Sequence, residues 1–181
     1  MDENETKVQR FRKLRDGFFR SHTESPLDPD GKVRFTGLKY FPYDSRYMVM
    51  ARFVQYPNPE TVSLATSKGI GQRYLRLGYF EFAIDGKTFQ LQAYRSPHGS
   101  HSEGYFVPFR DSTSGNESYA NARYLEVEEK SRFEGDMFRL DFNLAYNPYC
   151  AYTDKYACPF PPAENTIEIP IRAGEKKYKE S

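Results

Sequence analysis

The sequence predicts a mainly β protein, an antiparallel sandwich or a partly closed barrel, that carries one N-terminal amphipathic helix. Three observations predict it. Val8, Phe11, Leu14 and Phe18 recur at spacings of three and four, the period of a helix with one apolar stripe. Phe80, Phe82 and Ile84 alternate, Asp85-Gly86 interrupts, and Phe89, Leu91 and Ala93 alternate again, as in a hairpin with a two-residue turn. The rest of the chain holds further short apolar runs separated by turn residues, the pattern of sandwiches and barrels.

The helix is expected over 6–19, with Gly17 loosening its last turn. Lys7, Arg10, Arg12, Lys13 and Arg15 stand beside acidic residues and read as its solvated side. Ser25-Pro26 and Asp28-Pro29-Asp30-Gly31 read as loop and turn. A β domain over 40–172 follows. Tyr47–Val54 is its first strand, Pro57 and Pro59 break it, and Thr61–Thr66 resumes. After the hairpin, 96–104 is a polar loop, and Tyr105–Phe109 is a short strand. Asp111–Gly115 is a turn whose Asp and Ser side chains bond their own backbone. Arg123–Val127 and Phe138–Tyr146 are strands joined through Gly135, and Thr166–Ile171 is the last. The Lys-rich tail, 173–181, is expected to fray. No repeat or internal boundary interrupts the chain, so 1–181 reads as a single domain.

Composition narrows the classes. A chain of 181 residues is long enough to bury a core without a staple. It holds 15 Phe and 15 Tyr, too aromatic for a disordered chain, and Tyr suits the wall of a pocket. With 26 Lys plus Arg against 25 Asp plus Glu there is no long-range basic field, so nucleic acid is not an expected partner, although Arg73-Tyr74-Leu75-Arg76 interleaves aromatic and basic groups. No apolar run is long enough for a membrane span, and MDENETK lacks a signal-like apolar region. A cytoplasmic protein without a membrane partner is expected.

Chemistry concentrates in Leu140–Pro162, which packs Asp141, Asn143, Asn147, both cysteines and four tyrosines into a run ending in prolines. Polar groups at that density in a partly apolar setting must pair with each other, with backbone or with a ligand. Along the expected strand Phe138–Tyr146, alternation puts Phe138, Leu140, Phe142 and Leu144 on one face, with Arg139, Asp141 and Asn143 on the other. Asp141 and Glu164 are the candidate catalytic carboxylates. Arg110, Asp111, Arg123, Asn143, Tyr146, Asn147 and Asn165 are the candidate ligand-binding residues, since Arg clamps carboxylates and phosphates. The competing reading is internal pairing, such as Arg123 with Asp111 or Asp141.

Cys150 and Cys158 stand too far apart for the common zinc spacings, even with His98 and His101 nearby, so no metal site and no cofactor is expected. They read as half-buried thiols or as a disulfide pair. No Gly-rich phosphate loop and no Gly-x-Ser-x-Gly elbow occurs.

Four motifs together resemble one family: PFRDSTSGNESYANARYL (Pro108–Leu125), DFNLAYNPYCAY (Asp141–Tyr152), CPFPPAEN (Cys158–Asn165) and AGEK (Ala173–Lys176). They are similar to the bacterial and archaeal domain-of-unknown-function family 1684. The N-terminal helix, Ser25-Pro26-Leu27 and the Gly37–Phe41 segment resemble it as well. Ala122 stands where the family pattern resembles Gly-Arg-Tyr-Leu; a small residue is kept. The resemblance implies no activity. Three classes are therefore carried forward: a domain binding a small polar or anionic molecule, a hydrolase or lyase using a carboxylate base in the same pocket, and a structural or partner-binding domain. Oligomeric state is left open.

Overall fold

The computed structural model describes residues 2–99 and 101–179. Helix α1 runs Glu3–Ser21, longer than the apolar period indicates, because Asp2 caps it: its carboxylate accepts from the Glu5 amide at 2.7 Å, with Glu3 and Glu5 in the first turn. Its buried face is Val8, Arg12 and Phe19, whereas Leu14 is 64% exposed. Two arginines expected on the wet side thus face inward. Their planar cations lie over aromatic rings, Arg12 over Tyr40 at 4.6 Å and Arg15 over Tyr146 at 4.8 Å. A second helix, α2 (Pro29–Arg34), replaces the turn expected there. Asp28 caps it and Pro29 supplies the first-turn φ.

The strands are β1 (Met48–Leu64), β2 (Gln72–Ile84), β3 (Lys87–Arg95), β4 (Tyr105–Asp111), β5 (Arg123–Val127), β6 (Arg132–Glu134), β7 (Met137–Asp141) and β8 (Thr166–Ile167). They form one sheet in the order β5-β4-β3-β2-β1-β7-β6. All pairings are antiparallel except β8, which lies parallel to β4. The mainly β expectation holds. Asp85 (φ 48°) and Gly86 (φ 76°) make the β2–β3 turn, both in the left-handed region that such a hairpin requires.

Three strand expectations change. β1 is continuous through Pro57 and Pro59, because its register with β2 shifts between Gln55 and Glu60 and that bulge needs no amide from proline. The strand after Phe138 stops at Asp141, whose carboxylate accepts from the Asn143 amide at 3.0 Å and turns the chain into a 3₁₀ turn, Phe142–Leu144. The last strand holds only Thr166–Ile167.

The sheet curls strongly. Tyr105 on β4 meets Phe53 on β1 at 4.5 Å and Phe138 on β7 at 5.4 Å between ring centroids, although three strands separate β4 from β7. No described ladder joins the edge strands β5 and β6, so the barrel stays open. Side chains alternate along β4 between two cores. Tyr105, Val107 and Phe109 enter the inner one, while Phe106 joins Leu64, Tyr74, Tyr94 and Tyr124 on the outer face. A third cluster, Phe19, Leu27, Phe35, Leu38 and Tyr152, fastens α1. Among the described residues no helix is long and apolar enough to cross a membrane.

β3 and β4 pair only at Tyr94 and Phe106, and Asn165 fills the split beyond. Its carboxamide accepts from the Gln92 amide at 2.7 Å and donates to the carbonyls of Gln92 (3.0 Å) and Pro108 (2.8 Å). An amide side chain thereby substitutes for missing ladder bonds, at a strand position where Pro108 has no N–H. The C-terminal segment does not fray at its start. Ala173 and Glu175 are fully buried, the Phe41 amide donates to Gly174 O at 2.9 Å, and the Lys176 amide to Lys39 O at 2.8 Å.

Asn165→Ala leaves the Pro108 and Gln92 carbonyls and the Gln92 amide without this partner, at roughly 1–3 kcal/mol for each group left unsatisfied. The expectation is a loss of about 3 kcal/mol or more in denaturant unfolding, with Asn165→Asp at least as damaging because a carboxylate would face two carbonyls. A variant as stable as the parent would contradict the plug.

Candidate functional site

Most of the residues singled out in the sequence fall in three separate places. The first surrounds Arg123 on β5, which is 1% exposed. Its guanidinium donates to Asp111 Oδ1 at 3.1 Å, Ile171 O at 2.8 Å, Ala173 O at 2.5 Å and Glu175 O at 3.3 Å. Asp111 also accepts from the Ile171 amide at 2.6 Å and from the Thr113 hydroxyl. Burial lowers the Arg123 pKa, and Asp111 opposes that shift. The pair is spent on the C-terminal backbone. Arg110 points elsewhere and donates to Asn121 O at 2.8 Å.

The second place lies beside α1. Asp141 Oδ1 accepts from Asn143 Nδ2 at 2.9 Å, and the same carboxamide bridges both backbone groups of Asp44. Burial raises the Asp141 pKa, against its hydrogen bonds from Asn143 and the charge of Arg12. The third is the β3–β4 split. Asn165 sits inside it and Glu164 is exposed on its surface. Asn147 is buried near the first place, its amide on Glu175 Oε2 at 3.0 Å and its Nδ2 on Lys176 O at 2.9 Å. Asp141, Arg123 and Glu164 do not share one hollow.

A cavity of about 450 Å³ opens between α1, the outer core and the 146–159 segment. Phe11 and Arg15 of α1, Gln72 and Tyr74 of β2, Tyr124 of β5 and His101 line it, with Tyr146, Tyr149, Tyr156, Cys158 and Pro159 on the far side. Tyr146 and Cys158 are the two sequence candidates among them. A broader, larger hollow of about 1000 Å³ adjoins it past Gln72 and Tyr74, along Arg73, Arg95 and the 96–99 turn.

Electrostatics organise the smaller cavity. Tyr146 donates to Glu126 Oε1 at 2.6 Å, and His101 Nδ1 meets the same oxygen at 2.6 Å. His101 stacks on Phe106 at 3.9 Å, which fixes its ring. Arg15 pairs with Glu175 at 3.1 Å, while its Nε is buried without a partner among the described residues. Glu175 also accepts from the Tyr152 hydroxyl. Burial pushes the Glu175 carboxyl up, against Arg15 and Tyr152, and pushes Tyr146 up with help from Glu126. Tyr74 is raised to about 12 by burial.

The thiols flank this wall. Both are free, Cys150 half-buried and Cys158 buried. The Cys150 amide donates to Cys158 Sγ at 3.3 Å, and Tyr119 Oη lies 3.5 Å from Cys150 Sγ. The side-chain hydrogen bonds from Cys158 and then Tyr119 outweigh burial and pull Cys150 down to about 6, while the Cys158 thiol is pushed up.

Sequence reasoning missed Arg15, His101, Tyr74, Glu126 and Glu175. One signal was present for Arg15: it lies four residues from both Phe11 and Phe19, on the inward face of the helix. The others are brought in by sheet curl and loop packing.

The fold and the cavity define a curled antiparallel β protein whose N-terminal helix roofs a tyrosine-lined hollow. The chain belongs to the family described as protein of unknown function (DUF1684), whose model matches residues 33–176. The solution structure of the uncharacterized protein from gene locus rrnAC0354 of Haloarcula marismortui is similar, with 41% identity, a TM-score of 0.77 and 100% of each chain covered. No curated protein matches the sequence.

Two measurements check this geometry. Arg123→Met leaves Asp111 as a buried unpaired carboxylate, and breaking such a pair costs about 3–5 kcal/mol; equilibrium unfolding is expected to show that loss. For Asp141, the folded-state pKa lies above the unfolded one, so its contribution is complete below the ordinary carboxyl range and is lost as pH rises through the folded value. Stability of the parent minus that of Asp141→Asn is therefore expected to fall as pH rises from about 4 toward neutral. A flat or rising difference contradicts the burial argument.

Proposed function

We propose that the chain binds a small, flat, polar molecule in the cavity between α1 and the 146–159 segment. One observation carries this reading: the walls are tyrosine rings, and the Arg15 guanidinium, which lines the same cavity, lies over the Tyr146 ring at 4.8 Å. Aromatic walls with a few convergent polar groups are the usual make-up of small-molecule sites. Stacking on Tyr rings supplies area without much loss of side-chain freedom, and a guanidinium in the wall favours a ligand that brings an acceptor.

Charge balance narrows the ligand. Arg15 is already neutralised by Glu175, and Glu126 stands beside His101 and Tyr146. A neutral group with a carbonyl-type acceptor matches this cavity better than a strong anion, because Tyr146 and His101 of its wall are already held by the Glu126 carboxylate. Asp141 and Glu164 line no part of the cavity, so a hydrolase or lyase driven by either has no support there.

Saturation-transfer NMR with aromatic amides and matched aromatic carboxylates tests the reading. Amides are expected to bind in preference. Arg15→Lys keeps the charge facing Glu175 and removes the planar fork of guanidinium donors; loss of a hydrogen bond from a charged donor, about 1.5–3 kcal/mol, weakens binding roughly tenfold or more. Tyr146→Ala abolishes it, and Glu164→Gln leaves it unchanged. Binding indifferent to Arg15 and Tyr146 would overturn the assignment.

A further inference from the structure

We propose that Cys150 is a peroxide-reactive thiol and Cys158 its resolving partner, the two closing to a reversible disulfide in the wall of the tyrosine cavity. This goes beyond ligand binding and does not rest on it. Three features of the geometry carry it. The Cys150 amide donates to Cys158 Sγ at 3.3 Å, which sets the two cysteines against each other. Cys150 is half-buried and reachable, while Cys158 is 7% exposed. The side-chain donor at the Cys150 sulfur is the Tyr119 phenol, 3.5 Å away, whereas the Cys158 sulfur accepts from the Cys150 backbone amide.

That distribution separates the roles. A thiolate is the nucleophile in peroxide reduction, and hydrogen-bond donors around a sulfur stabilise its anion. The titratable groups facing Cys150 are Tyr119, Tyr124 and Cys158. Burial and the thiol neighbour hold Tyr119 up at about 12, so it remains a phenol, a donor, at neutral pH. Cys158 is shifted in the opposite sense from Cys150 and keeps its proton. The arrangement is asymmetric, with one thiol prepared to attack and the other held in reserve.

The chemistry balances with a hydroperoxide as oxidant and a dithiol as reductant. Cys150 thiolate attacks the terminal oxygen of ROOH; the S–O bond forms, the O–O bond breaks, and RO⁻ leaves and takes a proton from water. The Cys158 sulfur then attacks the sulfur of the sulfenic acid. The S–S bond forms, the S–O bond breaks, and hydroxide leaves with the Cys158 proton as water. Two thiols lose two electrons and the peroxide gains them. A dithiol restores the pair by exchange.

The full chain, reduced and then exposed to hydrogen peroxide, is read by intact mass, by peptide mapping without reductant and by dimedone labelling. The parent is expected to lose two hydrogens, to yield a Cys150–Cys158 crosslinked peptide and to return on dithiothreitol. Cys158→Ser is expected to gain one oxygen that dimedone captures, and Cys150→Ser to stay reduced at the same dose. Tyr119→Phe keeps the ring and removes the donor, so it reports even where a cysteine variant fails to fold. Its Cys150 alkylation by iodoacetamide is expected to be several-fold slower at pH 6, because a sulfur that loses its phenol donor holds less thiolate there. The proposal is overturned by a parent that stays reduced, by equal oxidation of the two cysteine variants, or by a Tyr119→Phe alkylation profile identical to the parent's.

Discussion

The buried guanidinium of Arg123 is the joint that holds the C-terminal strap, residues 171–175. It converts one side chain of an edge strand into four anchoring bonds, three of them to the backbone of 171–175. Asp111 completes the joint by compensating the charge and by accepting from the Ile171 amide. Buried ion pairs often add little net stability, but removing one partner leaves an unpaired charge. The pair therefore functions as a constraint: it admits one path for the strap.

That path has consequences at a distance. With the strap held, Glu175 is delivered between Arg15, Tyr152 and the Asn147 amide. Gly174 permits the approach, since it adopts φ 76° and a Cβ there would stand 2.6 Å from Ala145 O. Glu175 in turn fixes Arg15, and Arg15 lies over Tyr146 in the cavity wall. The roof helix, the strap and the 146–159 segment are coupled through one buried carboxylate. The cavity is thus a product of the same polar network that organises the strap, which explains why most of the conspicuous polar residues of the sequence bond to backbone and few reach the hollow.

Local signals carried far in this chain. The β2–β3 hairpin was legible because alternation and Asp-Gly are properties of neighbouring residues. The short motifs around Asp111, Asn147 and Cys158 were legible as polar concentrations for the same reason. Pro57 and Pro59 misled because a register shift in β1 removes the need for their missing amides. Leu14 misled because apolarity at helical spacing does not decide which side of α1 meets a partner. Arg12 and Arg15 win that face because carboxylates and tyrosine rings wait opposite them.

By itself the sequence determined the β class, the N-terminal helix, the central hairpin and the family, all of which follow from short-range pattern or contiguous motif. Tertiary structure alone decided that Asn165 stitches a split sheet, that Arg123 grips the strap, and that Arg15, His101 and Tyr146 meet around a cavity. Periodicity reports the direction a side chain leaves its own element. Which groups it then meets depends on sheet curl, ladder register and the burial of charges, and those are settled only when distant segments compete for the same hydrogen bonds.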